Sequence, residues 1–490
     1  MRLSGRCTVA IGLTDADASA TRRVAALLRS RAGWVTAGLI VLSAVLFVSL
    51  TRMQPQYDAY GWLVWGRQAL HWNLDTNGAP SWKPLTFLFT FPYALAGSAQ
   101  PFLWMVTSVA AALAAPLFAG RIAYRLVPGP LYARAAAAAF AGVGVLGIAG
   151  YWPLVLIASS DPMIVALCLG AIDAHLSRRP RVAFGLLVLA ALGRPEAWPF
   201  LGVYAIWMWR AAIRPRAVVL AGLAAIPALW FGISALTAKS WLRAGEVALG
   251  TAQALHNHTL SGVLDRYRGL YELPMQLAGL AGIALAVVSR ARVALALAGL
   301  AASWIVIEIA FAFHGWPAEA RYMAEPAAVA VVLGGYAVGR LLAWSPGFAV
   351  PMRVAAGAVV GALLVALVPV ARQRVSVLRA EITQRQQAAV RIARLRTVVA
   401  RDGGPDAILD CGTPDSLSGD QSILAYVLGL NVGVVGHKPG RDIRRGGPLV
   451  LFEPREFGWE VLPIHIPRRD RHSCDRLRAT TAFGLPTRHV

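Results

Sequence analysis

Apolar segments recur along this chain from residue 33 to residue 370, separated by short turns in which arginine predominates. The first, 33–51, is long enough to cross a hydrocarbon core of ~30 Å. Others follow at 101–120, 131–150, 161–175, 182–193, 197–213, 217–237, 275–288, 293–313, 323–342 and 354–370. In lipid every backbone group must be satisfied within its own segment, so the expected fold is an all-α polytopic membrane protein of about eleven transmembrane helices. Several segments fall short of the ~20 residues of a standard span, which predicts broken or partly interfacial pieces. A content of 57% hydrophobic and 15% charged residues excludes an ordinary soluble multidomain protein. The net charge of +22 does not call for nucleic acid as a partner, because basic residues in short loops hold those loops in the cytoplasm.

The charges give an orientation. Arg22, Arg23, Arg29 and Arg31 precede the first segment, and no small-residue cleavage site is evident before the polar stretch 52–56. The segment therefore reads as a retained anchor, with residues 1–32 as a cytoplasmic basic tail. Arg121 and Arg125, Arg178, Arg179 and Arg181, Arg210, Arg214 and Arg216, Arg290 and Arg292, then Arg340 and Arg353, all fall in turns on that same side. The odd number of spans puts the C-terminus outside, and the Ala- and Arg-rich composition suggests, by analogy, a bacterial source and hence a multi-pass protein of the inner membrane. Acidic residues sort the other way. Asp58, Asp75, Asp161, Glu196, Glu246, Asp265, Glu272, Glu308, Glu319 and Glu325 lie in or near outward segments, while Asp15, Asp17 and Asp173 map inside. Carboxylates gathered on one side of an apolar bundle suggest a site at the outer face. A solvated surface is the alternative, and it suits Glu246, Asp265 and Glu272 in the loop 238–274.

Beyond residue 371 the composition changes. Residues 372–401 are basic and Gln-rich, which predicts an amphipathic linker helix near the lipid headgroups. Residues 402–490 then alternate AILDC as strand, DQSILAYVLGL as helix, and NVGVVG and PLVLFEP as strands, so a small extracytoplasmic α/β domain is expected. Cys411 and Cys474 both fall there; in an oxidising compartment a disulfide is open to them, though sequence does not give their separation. No CxxC spacing occurs, and residues 402–490 contain no Walker A or GxGxxG motif.

The densest chemistry lies in the first loop, 52–100, within QYDAYGWLVWGRQALHWNLDTNGAPSWKPLTFLFTF at 56–91. Read as a helix, Asp58, Trp62, Trp65, Ala69 and Trp72 share one face. An indole stripe led by a carboxylate predicts a helix lying along the membrane surface, with Asp58 at headgroup level or simply capping the helix. Lys83 is one of only three lysines among 47 basic residues, and its place between Trp82 and Pro84 suits either phosphate binding or snorkelling. Asp161, before Pro162, is a charge at a span's edge or an N-cap. Arg194 and Glu196 in GRPEAW imply a broken helix facing protein or water. Glu308 is an intramembrane carboxylate, and Arg321 with Tyr322 adds a cation and a phenol. His256 and His258 read more readily as surface than as metal ligands.

YDAYGWLVWGRQ just past the first span, followed by WKPL, resembles the first outer loop of the GT-C glycosyltransferases, in the aminoarabinose-transferase and protein O-mannosyltransferase branch. SSDP, GRPEA and EARYMAEP are similar to later loops of that superfamily. The resemblance covers about 33–371. It implies a sugar carried on a polyprenyl phosphate as donor and an extracytoplasmic lipid, glycan or protein as acceptor. By the match to the motif, Asp58 becomes the expected general base, assisted by Asp161. Lys83, Arg321 and Arg194 are the expected phosphate-binding cations, and Tyr60, Trp82, Glu196, Glu308 and Tyr322 the expected substrate-pocket residues. No metal ligands are assigned, and the carboxylates leave a divalent metal open as a cofactor. A transporter or flippase of lipid-linked sugars, or a non-catalytic envelope-assembly partner, are the rival readings.

Overall fold

The computed structural model describes residues 15–213, 215–249, 258–344, 350–455, 458–466, 474 and 477; His256 and Arg214 lie outside the described residues. The first anchor is α1 (Asp15–Thr51), continuous with the basic segment before it. The first loop holds α2 (Tyr57–Leu70) and α3 (Pro84–Ala94), followed by α4 (Gln100–Leu126) and α5 (Leu131–Leu146). Next come α6 (Tyr151–Leu156), α7 (Asp161–Leu176), α8 (Pro180–Gly193), α9 (Trp198–Arg210), α10 (Arg216–Pro227) and α11 (Ile233–Thr237). A second loop carries α12 (Arg243–Leu249) and α13 (Thr259–Arg268), and α14 (Leu273–Val288), α15 (Arg292–Phe313), α16 (Ala324–Trp344) and α17 (Val350–Arg401) complete the helical part.

The bundle centres on α16, flanked by α5, α14 and α4. These contacts are built from small residues: Ala112, Ala115, Ala119, Ala133, Ala137, Ala141, Ala327 and Ala328 are all buried. Gly335 shows why, since a Cβ there would come within 2.7 Å of the Ala137 carbonyl oxygen. Close backbone approach of this kind is how helices pack where lipid removes the hydrophobic drive to associate. By contrast α1 leaves Trp34, Leu39, Leu46 and Leu50 exposed and α17 leaves Val354, Val359 and Val365 exposed, surfaces suited to acyl chains.

Six described helices are long and apolar enough to cross a membrane, or up to seven if the bent pair α13 and α14, which meet at 99°, counts as one. Segments expected as spans at 131–150 and 182–193 are shorter apolar helices. The shortening has a local cause near the site: Pro195 follows α8 and converts the chain to a 3-10 turn at Pro195–Ala197.

Three expectations for the C-terminal part are corrected. The last span and the basic linker are one helix, α17, 52 residues long. Its final turns do not rest on headgroups, because Ile392, Leu395, Val398 and Val399 are buried where α17 packs against the sheet and α18 and α19 of the C-terminal domain. AILDC lies in helix α18 (Gly404–Cys411), and the strand comes just after it as β1 (Thr413–Ser416). Helix α19 (Gln421–Leu428) is as expected, NVGVVG is a 3-10 turn at Val432–Val434 instead of a strand, and α20 (Pro439–Arg445) precedes β2 (Leu449–Arg455) and β3 (Gly458–Ile464). The sheet order is β1-β2-β3, parallel for the first pair and antiparallel for the second. Cys411 and Cys474 form a disulfide across a Cα separation of 5.7 Å.

The domain grips the first loop. Ser422 Oγ donates to the Tyr57 carbonyl at 2.5 Å and Gln421 Nε2 to the Tyr57 hydroxyl at 3.0 Å. At the other end of α2, Arg67 donates to the Tyr426 carbonyl at 2.9 Å with its guanidinium 3.7 Å from that ring's centroid. Asn431 Nδ2 donates to Asp75 at 2.5 Å.

Candidate active site

Helix α2 is enclosed on nearly every face. Trp62 packs edge-on against Trp104 at 5.6 Å and Trp65 tilts against Trp82 at 5.0 Å, and all four rings are buried. The indole stripe is therefore core packing and not an interfacial anchor; Trp72 alone is open, 96% exposed and past the helix end. Gly61 and Gly66 permit this enclosure, because a Cβ on the first would strike the Pro80 ring and on the second the Thr90 carbonyl. Asp58 is not a cap: Gln56 occupies that position, extended, and its backbone N–H donates to the Ile157 carbonyl at 3.2 Å. Asp58 instead turns its half-buried carboxylate into a cavity of about 1050 Å³.

Arg321 faces it from the 3-10 turn Ala320–Met323 that opens α16. Its Nη1 lies 3.5 Å from Asp58 Oδ2 and 3.9 Å from Asp161 Oδ2, and its Nε lies 2.9 Å from Glu319. Asp161 is fully buried at the first position of α7, where the helix dipole favours an anion. Ser160 holds the N-cap position, so Asp161 does not cap either. Its carboxylate accepts from Ser159 Oγ and from Arg194 Nη2.

Lys83 enters at the start of α3, where Pro84 occupies the first helical position. Its ammonium donates to Ser160 Oγ at 3.2 Å and sits 5.5 Å from the Trp62 ring centroid. Burial pushes Lys83 below the usual lysine range, and the Asp161 carboxylate partly opposes that. Tyr57 is pushed upward by burial and by Asp58.

The expected site residues divide. Asp58, Lys83, Arg321 and Tyr322 line the larger cavity, and Asp161 lines an adjoining apolar cavity of about 230 Å³ that also reaches Arg321 and Glu319. Arg194, 3% exposed, is held behind this surface by Asp161, by Glu325 at 3.5 Å and by Glu196 at 4.0 Å, with its guanidinium 4.4 Å from the Tyr322 ring. It has no face left for a phosphate. Glu196 and Glu308 are buried at the back of the same knot and not in the cavity. Tyr60 points the other way, edge-on to Tyr426 at 5.1 Å, and Trp82 is spent on packing, with its indole N–H donating to Leu229 O at 2.9 Å in a π-helical turn.

Several lining residues had no role assigned from sequence. Glu319 was visible as the acid before ARYM in EARYMAEP; Glu325, the acid after it, lies behind the surface on Arg194 and lines neither cavity. Glu246, assigned to solvated surface, also lines the cavity and pairs with Arg243 at 3.3 Å. Asp265 and Glu272 do pair on exposed surface, with Arg268 at 3.8 Å and Arg374 at 3.4 Å. The C-terminal domain supplies Ser418, Gln421, His437 and Lys438, far along the chain from the rest. Among the described residues no group of three or more His, Cys, Asp or Glu is arranged to hold a metal ion; His258 is exposed at the start of α13.

No protein-family profile and no curated protein matches the sequence. Among solved structures, 86% of the chain superposes on 93% of ArnT from Cupriavidus metallidurans bound to undecaprenyl phosphate, with a TM-score of 0.50 and 14% identity. The apo structure of the same protein gives a TM-score of 0.45 and 15% identity over 87% of this chain and 94% of that one. A bundle of apolar helices with a broken, charged face and a small C-terminal sheet thus has a fold like that of ArnT.

Proposed function

We propose that the chain transfers a sugar from a polyprenyl-phosphate donor to an acceptor hydroxyl at the outer face of the membrane. The observation that carries this is the convergence of Asp58, Lys83 and Arg321 on one cavity at the rim of an apolar bundle. The acceptor oxygen attacks the anomeric carbon, its proton passes to the Asp58 carboxylate, and the bond from that carbon to the lipid phosphate oxygen breaks. The phosphate leaves with its charge met by Arg321 and Lys83, already in place before reaction. A single displacement inverts the anomeric configuration. Asp161 is a positioning residue in this scheme: buried and clamped by Arg194, it aims Arg321.

The sidedness rests on the arginine distribution and on the Cys411–Cys474 disulfide, which suits an oxidising compartment for residues 402–490. The test is transfer of radiolabelled sugar from a panel of polyprenyl-phosphate donors to envelope extract by protein in liposomes. Wild type is expected to transfer and Asp58→Asn to lose about a hundredfold or more in rate, as removal of a general base does. Transfer by Asp58→Asn at the wild-type rate removes Asp58 from that role, and silence of folded wild type with every donor removes the transferase.

A further inference from the structure

The wall of the large cavity supplied by the C-terminal domain carries a cation that the transfer step does not use. Only Lys83, Lys239 and Lys438 are lysines in this arginine-rich chain, and two of them, Lys83 and Lys438, line the same cavity. The cavity's arginines are compensated: Arg321 by Glu319 and Asp58, Arg243 by Glu246. Lys438 has no carboxylate within 4.0 Å among the described residues, while Asp442, the nearest acid on α20, is shared by Arg441 at 3.5 Å and Arg445 at 3.6 Å. Its backbone is fixed. Gly436 exchanges hydrogen bonds with Pro414 and Ser416 of β1, and Ser418 Oγ donates to the His437 carbonyl at 3.0 Å. Burial and the neighbouring Lys438 and Arg441 charges push His437 downward, which leaves a neutral imidazole beside the ammonium at neutral pH.

One lipid phosphate accounts for Lys83 and Arg321 on the membrane side. A second uncompensated cation on the opposite element calls for a second anion. At about 1050 Å³ the cavity reaches the upper end of small-molecule sites, room for the donor sugar together with part of an acceptor.

Resting on the transferase reading, we infer that Lys438, with His437 and Ser418 beside it, is the acceptor subsite, and that the acceptor carries a phosphate or carboxylate near the hydroxyl presented to Asp58. A flexible ammonium suits this as a point charge that does not demand bidentate geometry.

Three lysines make the test direct. Full-length protein in phosphatidylcholine nanodiscs is acylated with an amine-reactive ester, and each lysine is read by mass spectrometry with two probes. One is soluble glucose 6-phosphate and the other is phosphatidylglycerol in the nanodisc. At a probe level of about four times its Kd, labelling of Lys438 is expected to fall about fivefold while Lys239 labels as before. Protection by the sugar phosphate identifies a soluble anionic glycan as the class, and protection only by phosphatidylglycerol identifies a lipid headgroup. Equal protection of Lys438 and Lys239, or none with either probe, overturns the subsite. In transfer assays with the anionic fraction of envelope extract, Lys438→Gln is expected to raise the acceptor KM about tenfold, more than it changes kcat, and Lys438→Arg to restore it. Protection of Lys438 by a probe in protein that transfers no sugar separates failure of the transferase from failure of the subsite. Active wild type with an unchanged Lys438→Gln KM shows the reverse.

Discussion

Helix α7 carries an aspartate near each end, about 18 Å apart along its axis, and each is met by two arginines. At one end Asp173 takes Arg121 at 3.2 Å and Arg125 at 2.6 Å, with Arg121 58% and Arg125 32% exposed. At the other, Asp161 takes Arg194, itself 3% exposed, and Arg321, with Glu196 and Glu325 crowding the same guanidinium. The first joins a buried carboxylate, 5% exposed, to arginines that reach the surface and are screened there. The second has removed several charges from water, a cost that packing hydrophobic residues would have avoided. Like pairs in unlike surroundings thus do different work: one fastens a helix end, the other fixes the direction of Arg321.

Breaking the buried knot should expose this difference most. Arg194→Met leaves Glu196 and Glu325 without their cation and Asp161 with Arg321 alone, and is expected to cost about 3–5 kcal/mol, whereas Arg121→Met should cost no more than about 1 kcal/mol. Thermal unfolding of the two purified variants in one detergent checks this, and equal shifts would erase the contrast. Removing charge from the aspartates comes next. Asp161→Asn is expected to lower kcat by about a hundredfold through a misdirected Arg321, with Asp173→Asn within about twofold of wild type in the same sugar-transfer assay.

A third comparison sharpens the role of burial at Lys83. Because its ammonium is pushed down, Lys83 loses its proton at a lower pH than an ordinary lysine at ~10.4. Donor KM should therefore climb as pH rises through the alkaline range, and Lys83→Arg should flatten the climb. The smallest effect is expected at Asp415 in the C-terminal domain. It is 1% exposed, and burial with Asp442 nearby raises it to about 6. The sign follows: this group favours the folded state below its unfolded pKa of ~3.9 and loses that contribution as pH rises through about 6. Asp415→Asn should then raise the melting temperature at neutral pH and leave it little changed at pH ~4. A melting temperature lowered at neutral pH would mean the carboxylate has a partner of opposite charge.

Charged residues in apolar surroundings made much of the site legible. Asp58, Lys83, Asp161 and Arg321 stood out because lipid tolerates them only for cause, and they do meet. Which cation faces the cavity was not legible: Arg194 and Arg321 look alike in sequence, and only the fold turns Arg194 inward against three acids. The indole stripe of α2 misled because an aromatic face reads the same whether lipid or protein covers it, and the covering residues are Trp82 and Trp104 from other segments. AILDC was ambiguous as a short apolar run, and Gly412, at φ +151, moves the strand to the residues after it. The wall containing His437 and Lys438 left no local signal, since contacts such as Gln421 to Tyr57 span 364 residues.

Because α17 runs unbroken from the lipid to the sheet, it acts as a ruler of about 78 Å. The height of the C-terminal domain above the bilayer is set by a residue count and not by the slack of a linker. One residue added within 372–388 would lift the domain by about 1.5 Å and turn it by about 100°, swinging Ser422 and Gln421 off Tyr57. The spacing between membrane and sheet is in that sense a length written into the chain, and the cavity exists only at the value that the helix dictates.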